Sequence, residues 1–141
     1  MSGPVADGHR TPPPEFRRRA AAAAEPLIEL RRALAGWVSG LGIGGELQED
    51  VVMASYEAMA NTAEHAYRGR PVSVLDVLAT IRNGELTVVV TDYGTWKPPV
   101  DTHGLRGRGL LLIRGLADTS EYTQRPDGTT VTMHWNTARD R

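Results

Sequence analysis

The stretch SVLDVLATIRNGELTVVVTD, residues 73–92, limits the possible folds of this chain more than any other. In its first half Leu75, Val77, Ala79 and Ile81 fall on alternate positions, the two-residue period of a strand that buries one face. Its second half, ELTVVVTD, is a near-continuous apolar run ending at Asp92. Between them stands Asn83-Gly84, a pair that tight hairpin turns favour because both residues tolerate positive φ. The stretch predicts an antiparallel hairpin. Further on, SEYTQR and TTVTMHW read as two more strands, joined by PDG, a second hairpin signal.

Ahead of the hairpin the apolar period is helical. Leu27, Leu30, Leu34, Trp37 and Leu41 recur at helical spacing after Pro26, and the glycines of GLGIGG end the run. A second helix is expected from about Gly45 to Tyr67, with Val52, Met59, Ala63 and Ala66 as its apolar arc and RGRP as its stop. Residues 93–109, YGTWKPPVDTHGLRGRG, hold four glycines and two prolines and read as a loop. Loops of that length are usually functional or mobile. A short helix, LLLIRGLAD, is expected next. Residues 16–25, FRRRAAAAAE, leave two readings open: a helix, on alanine propensity, or a short edge strand before Pro26. Residues 1–15, with four prolines and no periodicity, read as a disordered tail. That leaves 16–136 as one domain and 137–141 as a C-terminal tail. Helices followed by an antiparallel meander predict an α+β fold, one sheet with helices on one face.

Bulk properties narrow the function mainly by exclusion. A formal net charge of −1 does not advertise nucleic acid or an anionic membrane as the main partner. The absence of cysteine rules out disulfides and thiolate chemistry. No apolar run approaches the ~20 residues of a membrane span, and no basic-then-apolar leader pattern stands at the N-terminus, so a cytoplasmic location is the expectation.

Several polar positions stand out against this frame. Glu57, Asn61 and His65 in EAMANTAEHAY lie at i, i+4 and i+8, close to one line along a helix. Asp92 and Gly94 directly follow a buried strand; Gly107 and Gly109 form G-x-G ahead of a helix, where free backbone N–H groups and the helix dipole can hold phosphate. DGTTV, residues 127–131, is a hairpin turn by default. Each alone has an ordinary reading, as a solvated stripe or a turn.

Their order is more specific. A helical E-x-x-x-N, a strand ending in D-x-G, a glycine-rich loop with G-x-G opening a helix, and G-T-x-V in a late strand together resemble the GHKL family of ATP-binding domains. Within it, EAMANTAEHAY, GRGLLLIRGLAD and GTTV are most similar to the anti-sigma-factor serine kinases. The resemblance covers residues 26–135. It implies a Bergerat-type two-layer sandwich, a mixed, mainly antiparallel sheet with helices on one face. ATP and Mg²⁺ are the implied cofactors. Asn61 would offer its amide oxygen to Mg²⁺. Glu57 would accept the proton of the attacking hydroxyl. His65 would either support the site from below or touch nucleotide. Asp92 would accept a hydrogen bond from the adenine amino group, and Gly94 would let the backbone approach the base. Gly107 and Gly109 would bring amides to the phosphates. Thr130 would place a hydroxyl beside the adenine, backing Asp92 through water. Arg106 and Arg108 would pair with phosphate or remain solvated. The sequence departs from the family in DYGTW, where Trp96 replaces the usual second glycine of D-x-G-x-G.

Size separates the family's members. The multidomain ATPases need more chain than 141 residues, and His9 sits in a proline-rich stretch, not on a phosphoaccepting helix. The resemblance therefore implies a free-standing ATP-dependent serine/threonine kinase that binds a sigma factor and phosphorylates a STAS-domain antagonist. The alternatives are a switch kinase of the same subgroup, or a non-catalytic module that kept the fold. A homodimer is expected as well, because Ile28, Ala35 and Val38 widen the first helix's apolar arc. Under that expectation, a neighbouring copy would order residues 16–25.

Overall fold

The computed structural model describes residues 14–66, 74–93, 105–126 and 128–138, with the backbone alone for 62–66 and 105–110. In chain order its elements are β1 (Glu15–Ala21), α1 (Ala24–Gly40), α2 (Gly45–Ala66), β2 (Val74–Arg82), β3 (Glu85–Asp92), α3 (Leu105–Leu116), β4 (Thr119–Arg125) and β5 (Gly128–Asn136).

The hairpin read from residues 73–92 is present as β2 and β3. Its turn places Asn83 at φ 51° and Gly84 at φ 78°, the left-handed backbone that this dipeptide tolerates. Leu75, Val77 and Ala79 of β2 and Leu86, Val88 and Val90 of β3 are buried on one face. The five strands form a single sheet in the order β1-β2-β3-β5-β4. Every pairing among the described residues is antiparallel, so the expected mixed sheet is corrected to an antiparallel one. The physical reason is connectivity. Hairpins join β2 to β3 and β4 to β5, and the two helices between β1 and β2 return the chain so that these strands also run antiparallel.

Residues 16–25 resolve as strand followed by helix. β1 pairs with β2, Phe16 opposite Ala79 and Arg19 opposite Asp76. Phe16 turns into the core against Trp37, ring centroids 5.8 Å apart, and this long-range packing overrides the alanine propensity. The strand is thus held by its own chain and does not require a neighbouring copy. Its arginines at 17, 18 and 19 are exposed, which discourages pairing along the outer edge of the sheet.

The helices cover the face that carries Phe16, Val77, Val88 and Met133. α1 packs on β1, α2 on β3 and β5, and α3 on β4, with α2 in contact with both other helices. α1 starts at Ala24, two residues before Pro26, which sits in the first turn where its missing N–H has no partner to lose. Leu27, Leu30, Leu34, Trp37 and Val38 are its buried residues. Val38 therefore belongs to the core, and of the three residues expected to widen the arc, only Ile28 is exposed. α2 buries Leu47, Val51, Ala54, Ser55, Ala58 and Met59. Of the arc expected for α2, Met59 is buried and Val52 is half-buried beside α1. α3 begins at Leu105 instead of about residue 110, so its packing on α2 outweighs the cost of roughly 1 kcal/mol for each glycine it contains. Trp135 of β5 locks the end of α3 by donating its indole N–H to the Leu116 carbonyl at 2.8 Å. Among the described residues, no helix is long and apolar enough to cross a membrane.

Candidate functional site

The site is built at the end of β3 where it leaves the sheet. Asp92 continues the inward alternation of Leu86, Val88 and Val90, so its carboxylate is turned under the helix layer and is only 4% exposed. A buried carboxylate at a strand end is costly unless something there uses its acceptor oxygens. Opposite it in the β3–β5 ladder stands Thr129. Residues directly opposite in an antiparallel pair share a face, so Thr129 also points inward. It is 8% exposed, and its Oγ1 is buried with no hydrogen-bond partner. An orphaned buried hydroxyl beside a buried carboxylate has the character of a site shaped for a polar ligand edge.

This placement corrects the expectation for Thr130. Thr130 lies opposite Thr91, on the outer face, where its hydroxyl accepts a short bond from the Arg125 guanidinium. It cannot back Asp92 through the thickness of the sheet. The signal for Thr129 was present in the chain: it is in phase with Val131, Met133 and Trp135, the inward residues of β5.

Gly128 permits the close approach of the two strand ends. A Cβ at that position would lie 1.9 Å from the Asp92 carbonyl oxygen and 3.2 Å from the Tyr93 Cα. Only a residue without a side chain lets β5 begin against the last residue of β3.

Glu57 and Asn61 lie on α2, and both are half-buried. They share one flank of the helix, roughly 130° around its axis from the residues facing α1, at about 100° per residue. Since α2 lies between α1 and α3, that flank is the α3 side. The same helix packs on β3 and β5, the strands that carry Asp92 and Thr129. His65 falls in the last turn of α2, and Arg106, Gly107, Arg108 and Gly109 fall in the first turns of α3. The glycines are thus inside the helix and not ahead of it; Gly107 is still in the first turn, whose amides lack intrahelical acceptors. Gly94 and Trp96 lie outside the described residues.

Sequence reasoning missed one cluster beside the site. On the outer face the Arg19 guanidinium donates two bonds to the Asp76 carboxylate, at 2.8 and 3.0 Å. The Tyr93 hydroxyl donates to the same carboxylate at 2.7 Å, and Arg19 lies 5.5 Å from the centroid of the Tyr93 ring. The Arg19 bonds, reinforced by the Tyr93 hydroxyl, hold the Asp76 carboxyl below its ordinary value, while the bond to Asp76 raises the Tyr93 phenol above its own.

Among the described residues there is no group of three or more His, Asp or Glu arranged to hold a metal ion.

The model of the histidine kinase-like ATPase domain matches residues 20–135. The chain belongs to this family. Membership implies binding of ATP. The chain is also 29% identical over 131 residues to the serine-protein kinase RsbW of Staphylococcus aureus, covering 82% of each protein. Its fold matches that in the crystal structure of the RsbU and RsbW domains of a Mycobacterium tuberculosis protein, with a TM-score of 0.72 at 22% identity. That match takes in 90% of this chain and 33% of the longer one. The α+β sandwich expected from the GHKL resemblance is therefore the fold of this family member.

Proposed function

We propose that this protein is an ATP-dependent serine/threonine kinase that acts as an anti-sigma factor and phosphorylates a STAS-domain antagonist. The observation that carries the reading is the sharing of one α2 flank by Glu57 and Asn61, on a helix packed on β3 and β5, the strands that carry the buried Asp92–Thr129 pair. The similarity to a serine-protein kinase along most of both chains supports it.

In this reading Asp92 accepts the adenine amino group and Thr129, not Thr130, supplies the neighbouring hydroxyl. Their burial makes the contact selective. A guanine would face a carboxylate with an acceptor of its own, leaving two acceptors opposed and unpaired. Asn61 offers a neutral oxygen of the kind Mg²⁺ prefers, and Mg²⁺ when bound supplies charge neutralisation for the phosphates. Glu57, one turn earlier, takes the proton of the substrate hydroxyl. Phosphoryl transfer asks little covalent chemistry of the protein, so positioning and a correctly placed base account for most of what the chain contributes. Partner and location follow the same reading: a sigma factor and its antagonist, in the cytoplasm, with a homodimer as the assembled form.

The test is incubation with ATP, Mg²⁺ and candidate STAS proteins, read by phosphopeptide mass. Glu57→Gln should abolish transfer while leaving ATP affinity within about twofold, because Glu57 lies outside the buried arc of α2. Asn61→Ala should lose both. Full transfer by Glu57→Gln would remove the base assignment, and transfer to no STAS protein by a chain that binds ATP would favour a non-catalytic module.

A further inference from the structure

Asp92 sits at the point where β3 ends, and a strand end is ordinarily free to fray. Two features grip it. Across the ladder the backbone of Gly128 is pressed against the Asp92 carbonyl and the Tyr93 Cα. On the outer side Tyr93, the next residue, is tied to Asp76 and Arg19. The geometry of that tie follows from register. Asp76 is opposite both Arg19 and Thr91, and Tyr93 lies two residues beyond Thr91, the diagonal neighbour that a long aromatic side chain reaches. Three strands are thereby stapled in one line, ending at the residue bonded to Asp92.

We propose that the Arg19–Asp76–Tyr93 cluster is a positioning device for Asp92, holding the adenine-selecting carboxylate in place through the peptide that joins it to Tyr93. The inference rests on the assignment of Asp92 to adenine. Tyr93 is 45% exposed and the Arg19 side chain 64% exposed, so the cluster contributes little to global stability. What it does contribute is direction. The Tyr93 ring cannot swing outward without giving up its bond to a carboxylate, and the backbone torsions between Tyr93 and Asp92 are restrained with it. Arg19 adds two parallel bonds that fix the Asp76 carboxylate plane, which a lysine at that position would not. The cluster also links edge strand β1 to the nucleotide end of β3 across the intervening strand.

Tyr93→Phe, Asp76→Asn and Arg19→Lys are compared with the unaltered chain and with Asp92→Asn, by calorimetry with Mg·ATP, by competition with GTP and by thermal melting. The expected result is a three- to tenfold weaker ATP affinity in each cluster variant, with a Tm within about 2 °C. The preference for ATP over GTP should narrow by a similar factor, and Tyr93→Phe combined with Asp76→Asn should be no worse than either alone. General loosening would weaken both nucleotides alike, and that outcome overturns the proposal. So does ATP affinity within twofold of the unaltered chain in Tyr93→Phe and Asp76→Asn while Asp92→Asn loses binding, which makes the cluster a surface ion pair only. Unchanged ATP binding in Asp92→Asn would remove the adenine assignment itself, and the positioning role with it.

Discussion

Replacing Gly128 with alanine tests the construction of the site most directly. The added Cβ would stand 1.9 Å from the Asp92 carbonyl oxygen and 2.9 Å from its carbon, against an ordinary contact of 3.4 Å or more. The strand ends must therefore separate by about 1.5 Å, the difference between 3.4 and 1.9 Å. Both groups are backbone, so no side-chain rotation relieves the overlap. Gly128 is held opposite Arg125, and Asp92 opposite Leu75 and Thr129, so the movement must come from the last rungs of three ladders. A hydrogen bond near 2.9 Å stretched by that amount is lost. Overpacking of this kind costs about 1–3 kcal/mol, and the broken rung adds about 1 kcal/mol, for a loss of roughly 2–4 kcal/mol. Urea denaturation measures it as a lower midpoint at constant m. ATP affinity of the folded variant should fall at least tenfold, since Asp92 and Thr129 no longer face each other across the ladder. Gly84→Ala is the control. It meets only the Thr137 hydroxyl at 3.8 Å, yet sits at φ 78°, so it should cost about 1–2 kcal/mol of backbone strain and leave ATP affinity alone. Stability within 0.5 kcal/mol and unchanged affinity for Gly128→Ala would refute the close approach of β5 to Asp92.

Three further outcomes follow from the geometry. Thr129→Val removes an orphaned buried hydroxyl, so the fold should be unharmed while calorimetry shows ATP binding about five- to tenfold weaker; Thr130→Val, on the outer face, should leave affinity unchanged, and the reverse pattern would refute the face assignment. The Asp76 carboxyl is held below its ordinary value of 3.8, so its contribution is present above that pH and is lost as pH falls through the lower folded value. Denaturation curves of the unaltered chain and Asp76→Asn should therefore differ by less than about 1 kcal/mol at pH 7 and converge in acid below about pH 4. Trp135→Phe removes the 2.8 Å bond to the Leu116 carbonyl from a fully buried site and should cost about 2–4 kcal/mol in urea, without altering which strands pair.

The sequence by itself determined the elements whose signals are local. Alternation along β2, the Asn83-Gly84 turn, the leucine period of α1 and the span of α2 all depend on neighbours a few residues apart, and each is found close to where the pattern places it. The family was legible for a similar reason, because its motifs are short runs whose order along the chain survives folding. Wherever long-range packing or strand pairing was decisive, the tertiary structure had to supply the answer. Phe16 packing under Trp37 made residues 15–21 a strand despite their alanines. Docking on α2 drew α3 back to Leu105 through two glycines. The inward hydroxyl proved to be Thr129 because β5 pairs with β3 in a register that sets it opposite Asp92, and a one-residue slip would have turned Thr130 inward instead. Arg19, Asp76 and Tyr93 are far apart in the chain and carry no motif, and only the lateral order β1-β2-β3 makes them neighbours. Local chemistry names the candidates for a site, but the pairing of strands decides which face each side chain occupies, and therefore which of them meet.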